Sequence, residues 1–85
     1  MYEVLFTDTS KKQLKALPRN IRKRIIQKIE EMARDMSFVD FKKLTGTAFF
    51  RLRIGDYRVI FDLKTKELVI LIIKVGHRKK IYKKP

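Results

Sequence analysis

Phe50-Arg51-Leu52-Arg53-Ile54-Gly55-Asp56-Tyr57-Arg58-Val59-Ile60-Phe61 interleaves apolar and basic residues on both sides of Gly55-Asp56. Alternation is the period of a β-strand, and glycine at the first central position suits a type II′ turn, so the stretch reads as a β-hairpin. A turn at Gly55-Asp56 sets Ile54 opposite Tyr57, Arg53 opposite Arg58, Leu52 opposite Val59 and Arg51 opposite Ile60. Opposite residues share a face. Phe50, Leu52, Ile54, Tyr57, Val59 and Phe61 therefore form one apolar face, and Arg51, Arg53 and Arg58 stand together on the other. Like charges directly across a ladder are destabilising by roughly a few tenths of a kcal/mol or more. A fold has no need of that arrangement, and an anionic ligand accounts for it.

Upstream of the hairpin, Tyr2 to Phe6 alternates as a short first strand. Asp8, Thr9 or Ser10 supplies a helix cap, and Leu14 and Leu17 give that helix an apolar side. Pro18 stops it and opens a second helix that runs to about Asp35. There Ile21, Ile25, Ile29 and Met32 or Ala33 recur at helical spacing. Ser37 to Thr47 reads as a loop fastened by Phe38, Phe41 and Leu44. Downstream, Lys64-Thr65-Lys66 is a turn. Leu68 to Val75 is a nearly continuous apolar run, expected as a central strand covered on both faces and ended by Gly76. The order β-α-α-β-β-β segregates helices from strands. The expected class is α+β, with two N-terminal helices on one face of a mostly antiparallel four-stranded sheet, in a single domain spanning residues 1–85.

Composition limits the partners. Twenty-two Lys and Arg against nine Asp and Glu give a net charge of +13, which favours polyanions, nucleic acid first. The absence of cysteine removes disulfides and thiolate zinc sites, and one histidine cannot build a histidine metal cluster. No cofactor or metal is implied. The longest apolar run, Leu68 to Ile73, is far too short to span a bilayer, and no signal peptide is visible. A cytoplasmic protein without membrane contact is the expectation.

Three blocks together resemble the RelE/ParE superfamily of bacterial and archaeal toxins. They are Lys43-Leu44-Thr45-Gly46, the hairpin itself, and Val75-Gly76-His77-Arg78-Lys79-Lys80-Ile81-Tyr82. The similarity covers nearly the whole chain, including Leu17-Pro18 between the helices. In this superfamily, RelE-like members are ribosome-dependent endoribonucleases that cut mRNA in the A site. ParE-like members poison DNA gyrase and lack the nuclease residues. The nuclease branch's basic positions fall on Arg51, Arg53, Arg58 and Arg78, and its terminal tyrosine on Tyr82. All are filled with suitable chemistry, which favours the RelE-like branch. The other readings are a gyrase poison on the same fold and a basic nucleic-acid-binding module without catalysis.

Metal-free RNA cleavage needs a base for the 2′-OH, cations on the phosphate and an acid for the leaving 5′-oxygen. Arg51, Arg53 and Arg58 suit the phosphate, because guanidinium pairs bidentately with its oxygens, and Arg78 suits the leaving group. RelE-like members often carry lysine at the first two basic positions. Here both are arginine, which stays protonated, so the base is Tyr82 or His77. Tyr82 also qualifies as a stacking platform for a base. Lys42, Lys43, Lys74, Lys79, Lys80 and Lys83 complete an expected contact surface for RNA and the ribosome. The resemblance further implies an acidic RelB-like antitoxin as partner.

Overall fold

The computed structural model describes residues 1–81. The order is β1 (Glu3–Phe6), α1 (Asp8–Lys15), α2 (Arg19–Arg34), a 3-10 turn (Met36–Phe38), β2 (Phe41–Lys43), β3 (Phe50–Ile54), β4 (Tyr57–Lys64) and β5 (Val69–His77). The strands form one sheet in the order β1-β5-β4-β3-β2. β1 runs parallel to β5, and every other pair is antiparallel. The α+β expectation holds, with five strands in place of four. The extra strand is Phe41–Lys43, inside the segment read as a loop. It is only three residues long, and its Lys42-Lys43 pair gives no alternation to read.

Both helices pack on one face. Leu14 of α1 and Ile25, Ile29, Met32 and Ala33 of α2 meet Leu52, Ile54, Val59, Phe61, Ile70, Ile72 and Val75 of the sheet in one buried cluster. Phe61 is at its centre, with Phe50 stacked at 5.6 Å and Phe41 edge-on at 5.7 Å between ring centroids. The hairpin register is Phe50↔Phe61, Arg51↔Ile60, Leu52↔Val59, Arg53↔Arg58 and Ile54↔Tyr57. Gly55 has φ +58° and Asp56 a negative φ, the signs of a type II′ turn.

The cap of α1 is Thr7, one residue before the three candidates, and Asp8 lies inside the first turn. Thr7 Oγ1 accepts the Ser10 N–H at 3.1 Å and donates to the Ile73 carbonyl at 3.1 Å. Ile73 is the extra residue of a β-bulge, where the pairing of β4 with β5 steps from Ile60↔Lys74 to Phe61↔Ile72. Beyond the end of β1, the Val75 N–H is taken by Gln13 Oε1 at 2.8 Å. Side chains of α1 and its cap thus answer backbone groups of β5 that no strand reaches.

β5 begins at Val69 rather than Leu68, because Leu68 sits at φ 55° in the preceding turn. Gly76 does not end it, since the ladder continues through Arg58↔Gly76 to Tyr57↔His77. A Cβ at Gly76 would lie 3.3 Å from Ile81 Cδ1, so glycine there admits the buried Ile81. Coverage of β5 is full only on the helix side, and Leu71 and Ile73 are half-exposed. Replacing Thr7 by Val keeps the shape but removes the cap and the tie to the bulge. A loss of about 1–2 kcal/mol is expected, read from the midpoint of urea unfolding.

Candidate nucleic-acid interface

The face of the sheet away from the helices is basic. Its ladder carries Lys42 beside Arg51 and Arg51 beside Ile60, with Lys74 on the far side of Ile60. The next rung carries Arg53, Arg58 and Gly76. Five cations from four adjacent strands therefore share this end of the face, while farther along β4 Asp62 and Lys64 pair with each other at 3.5 Å. Two like-charged pairs, Lys42–Arg51 and Arg53–Arg58, stand directly across from each other. Each such contact is destabilising. Ile60 is buried between Arg51 and Lys74, where their aliphatic stems can cover it.

The three hairpin arginines are not equivalent. Arg53 is exposed, Arg51 is half-buried, and Arg58 is only 8% exposed. Arg58, grouped with Arg51 and Arg53 by alternation, is thus the buried member of the trio. Its Nη1 donates to the carbonyls of Gly55 and Tyr57, both at 2.8 Å, so the side chain curls back onto its own turn. No carboxylate lies within ion-pair distance of Arg58 among the described residues. Arg51 has a related deficit: its buried Nε finds no acceptor among the described residues.

The turn that Arg58 clamps also holds Arg78. The Arg78 N–H donates to the Asp56 carbonyl at 2.7 Å, and Arg78 Nε lies 3.6 Å from Asp56 Oδ1. The sequence reading missed Asp56. Its signal was available, because a turn acid falls beside the end of the strand that pairs with β4. Ile81 packs over Gly76, next to Arg58 in the ladder. Tyr82 and Lys83 lie outside the described residues.

His77 does not join the arginines. It pairs with Tyr57, whose ring packs on the helix-side core, and the two rings meet edge-on at 5.4 Å. Side chains alternate across a strand, so the neighbour of Gly76 must face the other way. His77 Nδ1 accepts the Lys79 N–H at 3.1 Å, which shapes the turn after β5. With Tyr57, Gln13, Leu17, Lys79 and Lys80 it lines a cleft of about 590 Å³. The lysines divide in the same way. Lys42 and Lys74 are on the basic face, whereas Lys43, opposite Phe50, is on the helix side and Lys79 and Lys80 line the His77 cleft.

A family model described as the ParE toxin of the type II toxin-antitoxin system parDE matches residues 4–82. Toxin RelE3 of Methanocaldococcus jannaschii is 39% identical over 85 residues, 94% of each chain. A chain of the RelBE2 toxin-antitoxin complex from Mycobacterium tuberculosis superposes with a TM-score of 0.81, at 28% identity over 91% of each chain. A chain of the RelB-RelE complex from Methanococcus jannaschii gives 0.74 at 38% identity, over 92% of this chain and 94% of that one. The chain belongs to the RelE/ParE superfamily of toxins from type II toxin-antitoxin systems.

Arg58 and Arg53 should respond differently to substitution. Arg58→Met leaves two turn carbonyls without their donor and is expected to lower stability by about 1–3 kcal/mol. Arg53→Gln, at an exposed position, should stay within about 0.5 kcal/mol of the unmodified chain. Urea unfolding of the two variants in parallel checks this.

Proposed function

We propose that this toxin is a ribosome-dependent endoribonuclease that cuts mRNA in the A site and so arrests translation. The observation that carries the reading is a pair of electrostatic deficits on one face. Arg58 is a buried cation without a counter-anion, and Arg51 has a buried donor without an acceptor, among the described residues. A phosphodiester supplies both the charge and the acceptor. In a partly desolvated site such an attraction is far stronger than in bulk water.

Arg51 and Arg53 hold the non-bridging oxygens, with Lys42 and Lys74 steering the strand onto the face. Arg58 acts from beneath: it braces the turn and adds positive field. Arg78, tied to that turn through Asp56, stabilises the charge on the leaving 5′-oxygen, which takes its proton from solvent water. Proton transfer from the 2′-OH falls to Tyr82, which follows Ile81 in the chain, because the His77 ring belongs to the opposite face. The products would be a 2′,3′-cyclic or 3′-phosphate and a 5′-OH, with no metal required.

The partner that restrains it is an acidic RelB-like antitoxin covering the arginine face. The net charge of +13 and the RelB-bound state of the similar toxins support this. The family description names ParE, so a gyrase poison is the second reading. It calls for inhibited supercoiling and intact mRNA.

The deciding experiment adds the purified chain to ribosomes paused with an empty A site on a defined mRNA, then maps new 5′ ends. Cleavage within the A-site codon is expected. Arg78→Ala should slow it by about 100-fold or more, the usual cost of removing one donor to a charged transition state. The unfolding midpoint should hardly move, because the lost Arg78–Asp56 ion pair is solvent-exposed and the backbone bond to Asp56 survives. Intact mRNA with the unmodified protein would overturn the reading.

A further inference from the structure

A second basic site lies where α2 meets the hairpin turn. A cleft of about 460 Å³ is lined there by Arg24, Gln27, Lys28, Glu31, Arg53 and Gly55. β2 pairs only with Phe50 to Leu52, so Arg53 stands beyond its end with no strand outside it. It therefore belongs both to the basic face and to this cleft. Arg24 comes from the other layer of the fold. Its Nη2 lies 3.4 Å from where a Cβ on Gly55 would be, so its guanidinium rests against the turn. Helix and sheet thus bring two guanidinium groups to one opening.

The charges inside the cleft are unbalanced. Glu31 is its one carboxylate, and it pairs with Lys28 at 3.4 Å. Neither Arg24 nor Arg53 has a carboxylate within ion-pair distance among the described residues. Across the ladder, Arg58 curls toward the turn carbonyls, leaving Arg53 the exposed guanidinium of that pair. Gln27 adds an amide that can donate to an anion without adding charge. Two residues along a strand advance about 7 Å. The step from Arg51 to Arg53 therefore carries the basic track from the open face to the sheet edge, where Arg24 takes it up.

We propose that Arg24, reached from the scissile phosphate across Arg53, binds the next backbone phosphate of the RNA strand in this cleft and guides that strand around the sheet edge onto α2. The proposal rests on the nuclease reading for the identity of the strand. It adds, through Arg24, a contact that positions RNA without touching the reacting atoms. Because it engages phosphate alone, it carries no base preference.

The test is equilibrium binding of a single-stranded RNA ten-mer, blocked by 2′-O-methyl groups, across a range of salt concentrations. One lost phosphate contact on a single strand should reduce the slope of log K against log salt by about 0.7. Arg24→Gln is expected to show that loss, with affinity reduced several-fold at low salt. Lys12→Gln, at an exposed position on α1, should remove the same formal charge and leave the slope unchanged. Glu31→Gln frees Lys28 and should tighten binding. The Arg24→Gln loss should recur on a DNA strand of the same sequence.

An Arg24→Gln slope equal to that of the unmodified chain, or the same change in Lys12→Gln, overturns the site, as does failure of the unmodified chain to bind the ten-mer. Because binding is read without cleavage, the two readings separate. Ribosomal cleavage with an unaltered Arg24→Gln slope sinks this site alone. The expected slope change without ribosomal cleavage sinks the nuclease alone.

Discussion

The register of the β3–β4 hairpin is the constraint on which the rest depends. Gly55 adopts φ +58°, a conformation other residues reach only under strain, and so fixes where the chain reverses. A slip of one residue would turn Leu52, Val59 and Phe61 to solvent and drive the arginines into the helices. Burial of Phe61 and Leu52 thus sets the orientation of Arg51 and Arg53. Core formation and display of charge are two consequences of one alternating pattern.

The same logic separates His77 from Arg58. Pairing of Tyr57 with His77 and of Arg58 with Gly76 are neighbouring rungs, so these pairs face opposite sides of the sheet. The bulge at Ile73 makes this phase possible. It lets Ile72 and Val75, three residues apart, both reach the helix-side core. A bulge leaves backbone groups out of the ladder, and this one is anchored by Thr7 at the head of α1. The helix cap therefore also helps set which residues of β5 present themselves to each face.

The parts that were legible are those with a strong local signal. The hairpin and the second helix each repeat one spacing over many residues, the first helix lies between a capping residue and a proline, and the last strand is a nearly unbroken apolar run; each was found within a residue or two. β2 was hidden because three residues ending in two lysines carry no period. The face assigned to His77 was also hidden. It depends on the phase of β5 relative to β4, which a bulge shifts and no local pattern reports. The burial of Arg58 was hidden for a different reason: alternation gives the side of a sheet but not the path of a long side chain. Its guanidinium reaches carbonyls one and three residues back, a local bond available to any arginine beside a turn. The resemblance to RelE/ParE toxins added what no spacing shows, the expectation that Arg51, Arg53, Arg58 and Arg78 act together.

A chain of net charge +13 will carry basic residues everywhere, so their number on one face decides little. Where they are neutralised decides more. The three ion pairs among the described residues use Glu31, Asp62 and Asp56, and none reaches Lys42, Arg51, Arg53, Arg58 or Lys74. Solvated charges are screened beyond roughly 8–10 Å at physiological salt. A buried cation such as Arg58 is screened far less. The arrangement is unfavourable for the isolated fold because like charges repel across the ladder. An anion seated on the face would convert that repulsion into attraction toward itself.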